Sequence, residues 1–378
     1  MDEMDPRQRI DAAIALQPVD RAPIIPLIGY FAARHKGLRL DIWHKDPEAG
    51  RKAIEDTWDD LGGWDAVGLG SGGSELGFMP VAPIPVKLPG YALPNDTIMQ
   101  IDEHEVMLPE DYDLVVEQGW MATVMKIFPK IASPIPPQDL PARIDAFVHQ
   151  GVKDMLAWEA RGTLNFIGAI GLPPVEIFSF CRSIQQLVFD LYRRPDKVLA
   201  AAEVVVDEQI KAGIGAMMGM KQALKWGPRV LFVGGTRATL LSPKLFDKFA
   251  WPYIERMVLA YLSAGITPML HFDSNWTPFL DYFKRLPPKQ VILELDSATD
   301  IFKAKEVLRG HMCLMGDVPA TLLKLGTPDQ VSAYVRRLID VVGEGGGFIL
   351  STGCDCPVDA KFENVKAMID TGKTYYPH

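Results

Sequence analysis

Eight short apolar runs of strand-forming residues alternate with longer amphipathic stretches along this chain of 378 residues. A helix between two strands forces them to pair in parallel, because the chain must cross back over the sheet. Eight parallel strands either close into a barrel or spread as a doubly wound sheet, and no GxGxxG turn follows the first run to favour the open sheet. We therefore predict an α/β fold, a (β/α)8 TIM barrel. The runs are RAPIIPLIG (21–29), WDAVGLGSGG (64–73), GTLNFIGAIG (162–171), RVLFVGGTR (229–237), TPMLHFDSN (267–275), QVILELDS (290–297), MCLMGDVP (312–319) and GFILSTGCD (347–355).

The intervening stretches have the spacing of helices. In residues 243–265 the apolar positions recur every three to four residues, and Gly265 follows the last of them. This pattern predicts one amphipathic helix that ends at the glycine.

A proline-rich segment breaks the alternation at residues 74–130. Its first part, VAPIPVKLPGYALPND, alternates Val, Ile and Tyr with turn residues, and a polar stretch without sustained periodicity follows. We expect an inserted β-hairpin followed by a short helix. A long insertion after a barrel strand lies over the active face, where it can form a lid. The simplest domain count is one barrel domain spanning 1–378.

Composition excludes several classes of function. The formal net charge is -9, and no cluster of five or more Lys and Arg residues occurs, which argues against nucleic acid and against an anionic membrane surface as partners. No uninterrupted apolar stretch reaches the ~18 residues of a membrane span, and the start MDEMDPRQRI lacks the pattern of a secretory signal. We expect a cytoplasmic protein whose four cysteines are thiols, available as ligands or nucleophiles.

Chemically versatile side chains gather at three predicted strand ends. The strand period of two places His271 and Asp273 on one side of the fifth run, and Glu294 and Asp296 have the same relation in the sixth. The eighth run ends in Cys354, with Cys356 two residues further. A barrel brings these ends together around one axis, so histidine, carboxylate and thiol can meet.

Zinc accepts this mixture of ligands. Imidazole nitrogen, carboxylate oxygen and thiolate sulfur all bind Zn2+, and a catalytic site keeps one position exchangeable for substrate. Thiolate together with imidazole argues against Mg2+ and Ca2+. The competing interpretation is that His271 and Cys354 are packed residues without a ligand role. Their position in one layer of the predicted barrel favours a shared site.

Four further residues are candidates for substrate contacts. Arg237 follows the fourth strand and can meet an anionic group of a substrate or remain a surface arginine. Asp317 follows the seventh strand and can bind substrate or order the turn. Tyr30 and Arg34 belong to the first loop and face the mouth if the first strand ends near Gly29.

The motifs at these strand ends resemble the uroporphyrinogen decarboxylase superfamily. The resemblance rests on the order of HFD, LELDSATD, MGDVP and STGCDCPVDAKFENVKAMID, and it extends over nearly the whole chain. In the last segment a glycine and a cysteine precede Glu363 and Asn364 by some ten residues. This arrangement is similar to the corrinoid-dependent methyltransferase branch, typified by methylcobalamin:coenzyme M methyltransferases.

That branch uses a zinc motif of His-x-Cys followed much later by Cys, with an exchangeable glutamate between them. His271 and Cys354 match the motif, and Glu294 lies where the glutamate is expected. Asp273 stands where the first cysteine belongs. An aspartate oxygen is a harder ligand than a thiolate and leaves the metal more Lewis acidic, which favours an oxygen substrate over the thiol of coenzyme M.

The resemblance implies a zinc-dependent methyltransferase that moves a methyl group between cobalamin, carried by a partner corrinoid protein, and a small heteroatom substrate. A methyl ether, an alcohol or a thiol fits this description, and either direction of transfer is possible. In one direction Glu294 would leave the zinc as a thiolate enters.

Two other classes of function compete with this prediction. One is a metal-free decarboxylase or lyase in which Arg237 and Arg34 hold a carboxylate and Asp317 transfers a proton. The arginine-rich first-loop motif of the decarboxylase branch is absent, and Arg34 stands alone in its place. The other is a noncatalytic binding module. The identity of the methyl donor or acceptor, the oligomeric state and the choice between Asp273 and Cys356 as the last ligand remain open.

Overall fold

Six of the predicted strands pair side by side in chain order, and every pairing is parallel. The computed structural model of the protein describes residues 3–68, 83–131, 138, 140–227 and 230–376. The six strands are β5 (Ile167–Gly171), β6 (Val230–Gly234), β7 (Thr267–Phe272), β8 (Ile292–Leu295), β9 (Cys313–Val318) and β10 (Phe348–Thr352).

The first three runs close this sheet into a ring. Ile24 forms a parallel bridge with Leu350 of β10, and its carbonyl accepts the N–H of Asp65 at 3.0 Å. Asp65 leads into β1 (Ala66–Val67), which pairs in parallel with β4 (Leu164–Asn165), the first half of the third run. The second half of that run is β5, the edge of the six-stranded sheet. All eight runs therefore contribute to one closed (β/α)8 barrel, as predicted.

Every second residue of each strand points into the barrel. This alternation determines which side chains lie at the mouth, where the strands end. Met269 of β7 and Ile292 of β8 belong to the cluster of apolar side chains inside the ring. Residues two positions further along each strand point the same way. His271 and Glu294 are therefore the next inward side chains at the carboxyl ends of β7 and β8.

The amino ends of the strands are covered by the N-terminal helix. Ile10 and Ala13 of this helix pack against the interior cluster. The chain then passes so close to the start of β10 that a Cβ on Gly346 would lie 2.6 Å from the Gln17 carbonyl oxygen. Only glycine tolerates this approach together with its φ of +85°.

Helices surround the barrel and cover the outward strand residues. Their bounds are Pro6–Ile14, Gly29–His35, Leu40–Lys45, Pro47–Asp60, Asp111–Gln118, Trp120–Ile131, Leu140–Ala160, Pro174–Arg182, Ile184–Arg193, Pro195–Ala223, Pro243–Phe249, Trp251–Ser263, Ile301–Leu308, Ala320–Leu325, Pro328–Arg337 and Phe362–Thr374. Short 3-10 helices span Arg237–Leu240 and Thr277–Arg285, and a π-helix spans Leu338–Val342. Within the described ranges, no helix is long and apolar enough to cross a bilayer.

One helix prediction needs correction. Residues 243–265 form two helices that meet at Ala250, where a single helix was expected. Pro252 explains the break, because proline lacks the N–H that a continuous helix requires and its ring clashes with the preceding turn.

The inserted hairpin is confirmed. β2 (Val86–Lys87) pairs antiparallel with β3 (Gln100–Ile101), and the two helices Asp111–Gln118 and Trp120–Ile131 follow. Gly119 separates these helices with a φ of +90°. The predicted single short helix is therefore a pair. Residues 74–82 of the predicted insertion lie outside the described residues.

A buried ion network joins the first two strands at the amino end of the barrel. Asp65 accepts hydrogen bonds from Arg9 at 2.5 Å, from Arg21 at 2.7 Å and from the Ile24 N–H at 2.8 Å. The side chains of Arg9 and Asp65 are fully buried. Removing one partner of a buried pair leaves an uncompensated charge.

We predict that Asp65→Ala lowers the free energy of unfolding by about 3–5 kcal/mol, as expected for a broken buried ion pair. Urea denaturation measures this change. The matched control is Asp102→Ala, because Asp102 pairs with Lys87 at the surface, and such pairs contribute about 1 kcal/mol or less. Equal losses in the two variants would contradict the prediction.

Candidate metal centre

His271 and Glu294 form a buried pair at the mouth of the barrel. They are register partners on β7 and β8, and His271 Nδ1 lies 2.5 Å from Glu294 Oε2. Glu294 has no exposed surface, and His271 is 8% exposed. A carboxylate at Nδ1 fixes the ring orientation and leaves Nε2 to act as the ligand, which is the arrangement common behind metal-binding histidines.

The free side of His271 faces two more ligand-type side chains. His271 Nε2 lies 3.4 Å from Asp273 Oδ1 and 3.6 Å from Cys354 Sγ, and Cys354 Sγ is 4.0 Å from Asp273 Oδ2. The ligand atoms of these three residues all lie within 4.8 Å of one another. Such separations suit one ion with bonds of about 2.0–2.3 Å, the range of zinc with nitrogen, oxygen and sulfur.

Two carboxylate oxygens at this site are buried without a hydrogen-bond partner in the described part of the chain. They are Asp273 Oδ1 and Glu294 Oε1. Burying a charged oxygen without compensation is costly, whereas a cation beside it removes that cost. Asp273 Oδ1, which has no hydrogen-bond partner among the described residues and lies 3.4 Å from His271 Nε2, fits a bound Zn2+ together with the imidazole and the thiol beside it.

The groups of this site shift the pKa values of His271 and Cys354. Burial alone would lower the pKa of His271, but Glu294, Asp273 and Cys354 raise it well above its usual value. Burial raises the pKa of the Cys354 thiol, and His271 opposes that shift. Both groups must lose a proton to bind a metal ion, so metal binding here releases protons.

Of the predicted ligands, the structure brings together His271, Asp273 and Cys354. Glu294 contacts the far nitrogen of the histidine and does not join this cluster. Cys356 also lies outside it, buried in the outer core with its N–H donating to the Leu27 carbonyl at 2.7 Å. Asp273, and not Cys356, therefore lies within reach of an ion shared with His271 and Cys354.

Arg237 is held by the protein itself. Its Nη1 donates to the Ser179 carbonyl at 3.2 Å, and its Nη2 lies 3.2 Å from Glu103 of the inserted segment. The guanidinium also stacks over the Phe180 ring, 4.2 Å from its centroid. These contacts join the insertion to the loop after β6, so the described contacts of Arg237 are structural.

The first-loop candidates have similar internal partners. Arg34 Nη1 donates to Asp96 Oδ2 at 2.6 Å, in an exposed pair. The Tyr30 hydroxyl lies 2.7 Å from His44 Nε2. Both residues therefore contact neighbouring protein groups, and their predicted substrate contacts stay predictions.

Asp317 lies near the carboxyl end of barrel strand β9, buried and outside the cluster of ligand-type side chains. The Tyr334 hydroxyl, from helix Pro328–Arg337, donates to Asp317 Oδ1 at 2.8 Å. Burial raises the pKa of Asp317 to about 7. A carboxyl group with such a pKa can exchange a proton near neutral pH, which keeps it a candidate for proton transfer.

Four residues around the site were not among the predicted ligands or substrate contacts, although Asp296 was noted at the end of its strand. The Phe232 ring stacks on His271 with centroids 4.6 Å apart. Asp296 and Thr299 hold the turn that bears Asp273. Glu176 Oε1 accepts the three backbone N–H groups of residues 236–238. The inward strand position of Phe232 and the i, i+2 relation of Asp296 to Glu294 were the available signals. The contacts of Thr299 and Glu176 join residues that are distant in sequence.

We predict that Asp317→Asn changes how stability depends on pH. The folded-state pKa of about 7 exceeds the ordinary value of 3.8, so between these values the folded protein binds more protons than the unfolded chain. Stability from this group is therefore lost as the pH rises through that range, by at most about 1.4 kcal/mol per pH unit. Urea denaturation should show the variant gaining stability relative to wild type with rising pH. Parallel curves would refute the prediction.

Comparisons with known proteins agree with the fold and the motifs. A family model described as uroporphyrinogen decarboxylase (URO-D) matches residues 140–375, more than half of the chain. The uroporphyrinogen decarboxylase of Anaeromyxobacter dehalogenans is 25% identical over 249 residues, which cover 63% of this chain and 64% of that protein. The methylcobamide:CoM methyltransferase MtbA of Methanosarcina acetivorans is 24% identical over 136 residues, covering 36% and 38%. The chain thus aligns with less than two-thirds of each relative's length.

A solved structure extends the likeness over the full barrel. The methyltransferase from Methanosarcina mazei matches with a TM-score of 0.70 at 20% identity, covering 98% of this chain and 99% of that one. At this identity the match concerns the fold. The family model, which spans the strands bearing the clustered ligands, identifies the family: the chain belongs to the uroporphyrinogen decarboxylase (URO-D) family.

Proposed function

We propose that this protein is a zinc-dependent methyltransferase. It transfers a methyl group between cobalamin, presented by a partner corrinoid protein, and a small heteroatom substrate such as a methyl ether, an alcohol or a thiol. The observation that supports this most directly is the convergence of His271, Asp273 and Cys354, with a buried Asp273 oxygen that has no hydrogen-bond partner in the part of the chain that the structure describes. Relatives named as methylcobamide:CoM methyltransferases support the choice within the family.

Each residue of the centre has a distinct role in this proposal. His271 Nε2, an Asp273 oxygen and Cys354 Sγ hold the zinc, which leaves a coordination position for substrate. Glu294 acts through His271, since its carboxylate accepts the Nδ1 proton and keeps Nε2 free. Phe232 covers one face of the imidazole and shields it from water.

When bound, zinc supplies Lewis acidity, which polarises a substrate oxygen or lowers the pKa of a substrate thiol. In the demethylating direction, the corrinoid of the partner protein would accept the methyl group from an ether held at the zinc site. The carbon–oxygen bond would break with its electron pair left on the oxygen, and water would supply the proton of the alcohol product. Asp273, a harder ligand than cysteine, favours an oxygen substrate over a thiol.

The runner-up is a metal-free decarboxylase or lyase. Relatives named uroporphyrinogen decarboxylase and the pKa of about 7 of buried Asp317 favour it. A decarboxylase or lyase of this kind also requires two arginines that bind a carboxylate of the substrate. Arg34 and Arg237 instead hold Asp96 and Glu103, so we rank this function second.

We predict that purified wild-type protein contains zinc and converts cob(I)alamin to methylcobalamin with a methyl donor from a panel of ethers, alcohols and thioethers. Cys354→Ala should weaken zinc binding by more than about 100-fold, beyond the loss typical of an outer partner, and abolish the spectral change. Metal analysis and anaerobic visible spectroscopy measure the two effects. Cys356→Ala is the matched control, because that thiol is buried outside the cluster.

The two functions give opposite outcomes in this experiment. A folded wild-type protein without zinc would overturn the methyltransferase proposal. Release of CO2 from a carboxylate substrate by the same metal-free protein would establish the decarboxylase. Equal losses in the two cysteine variants would show that Cys354 has no special role.

We also predict that Glu294→Gln lowers zinc affinity about 10- to 100-fold, because the amide can accept the His271 proton but lacks the charge that makes the imidazole a better ligand. Competition with a chromophoric chelator measures the affinity. Glu176→Gln is the control, since Glu176 is equally buried but bonds to backbone groups of residues 236–238. Unchanged affinity in Glu294→Gln would rule out the role assigned to Glu294.

A further inference from the structure

The turn that bears Asp273 has a backbone conformation that needs outside support. Ser274, the next residue, has a φ of +75°, in the left-handed region that L side chains rarely adopt. Such a residue persists only where its surroundings hold it. The direction of the Asp273 carboxylate depends on this turn, because the two residues share a peptide unit.

The support comes from the segment after β8. Asp296 Oδ2 accepts the Ser274 N–H at 3.1 Å. The Thr299 hydroxyl donates to the Ser274 carbonyl at 2.9 Å and accepts the Trp276 N–H at 2.8 Å. The Trp276 indole in turn donates to the Asp273 carbonyl at 2.8 Å. Four backbone groups of the turn are thereby satisfied by two side chains of this segment and by the indole.

Asp296 also contacts the turn that bears the other outer ligand, Cys354. A Cβ placed on Gly353 would lie 3.2 Å from the Cα and the carbonyl carbon of Asp296, so the two backbones pack directly against each other. Asp296 is itself fixed, since its Oδ1 accepts the Ala298 N–H at 3.0 Å. It lies between the turn of Asp273 and the turn of Cys354.

We propose that Asp296, with Thr299, is the positioning residue of the metal centre. It holds the left-handed Ser274 turn and abuts the Gly353 turn, and so sets the spacing between the Asp273 carboxylate and the Cys354 sulfur. This inference rests on the proposed zinc site, and it assigns to the LELDSATD motif a role beyond supplying Glu294.

Asp300 provides a matched comparison on the same segment. Its carboxylate also accepts two backbone N–H groups, from Phe302 at 2.9 Å and from Lys303 at 3.3 Å, as the N-cap of helix Ile301–Leu308. These bonds lie within its own helix and involve neither ligand turn. Asp296→Ala and Asp300→Ala thus remove the same charge and the same number of backbone hydrogen bonds, but only the first touches the centre.

The metal-free protein is tested first, by hydrogen exchange of the backbone amides of residues 271–279. Asp296→Ala should accelerate exchange at Ser274 and Trp276, whereas Asp300→Ala should leave both unchanged. Equal exchange in Asp296→Ala and wild type would overturn the inference, whether or not the protein binds zinc. Absence of zinc binding by the wild type would overturn the proposed function separately.

Metal binding is tested second, by chelator competition with Zn2+ and by the visible spectrum of the Co2+-substituted protein. We expect Asp296→Ala to lose about 10- to 100-fold in zinc affinity, as for other outer partners, and to show an altered cobalt spectrum. Asp296→Asn, whose amide oxygen still accepts the Ser274 N–H, should recover most of the affinity. Wild-type affinity and an unchanged spectrum in Asp296→Ala would refute the positioning role.

Thr299→Val is a second variant for the case in which Asp296→Ala does not fold. Valine keeps the shape of threonine and removes both hydroxyl bonds to the turn. The same direction of change in exchange and in zinc affinity is expected, and no change in either would contradict the inference.

Discussion

His271 Nδ1 and Glu294 Oε2 lie 2.5 Å apart because β7 and β8 pair in register at these two residues. The strand period makes both side chains point inward, above the apolar side chains that fill the barrel. The pair therefore fixes the orientation of the imidazole ring. The imidazole presents Nε2 to the mouth, and the other ligand-type residues, Asp273 and Cys354, converge on that atom.

The two other ligand-type residues lie in turns rather than in strands. Asp273 and Cys354 follow the ends of β7 and β10, where the strand period no longer directs side chains. Their placement relies on hydrogen bonds and close packing with Asp296 and Thr299. In the proposed zinc centre, one ligand borne by a strand, His271, thus acts with two ligands borne by turns, Asp273 and Cys354.

Periodicity was sufficient to predict the barrel, the hairpin and the convergence of His271 with Cys354, since these follow from local patterns and the geometry of parallel strands. It could not predict the partners of Arg237 and Asp317. Glu103 lies far from Arg237 in sequence, and Tyr334 reaches Asp317 from a neighbouring helix. Such pairings depend on how the insertion and the outer helices pack on the barrel, so they cannot be predicted from residue spacing along the chain. Asp273 and Glu294 were both predicted as metal ligands. The distances show that only Asp273 lies in the cluster with Cys354, whereas Glu294 contacts the other nitrogen of His271.

The central claim is that one sulfur ligand, Cys354, and nitrogen or oxygen ligands from His271 and Asp273 hold a zinc ion. X-ray absorption spectroscopy at the zinc edge of the purified protein tests this most directly. We expect one sulfur at about 2.3 Å from the zinc, with the remaining ligands at about 2.0–2.2 Å. Two sulfur ligands would instead place Cys356 at the metal, and a purified, folded protein without zinc would contradict the account altogether.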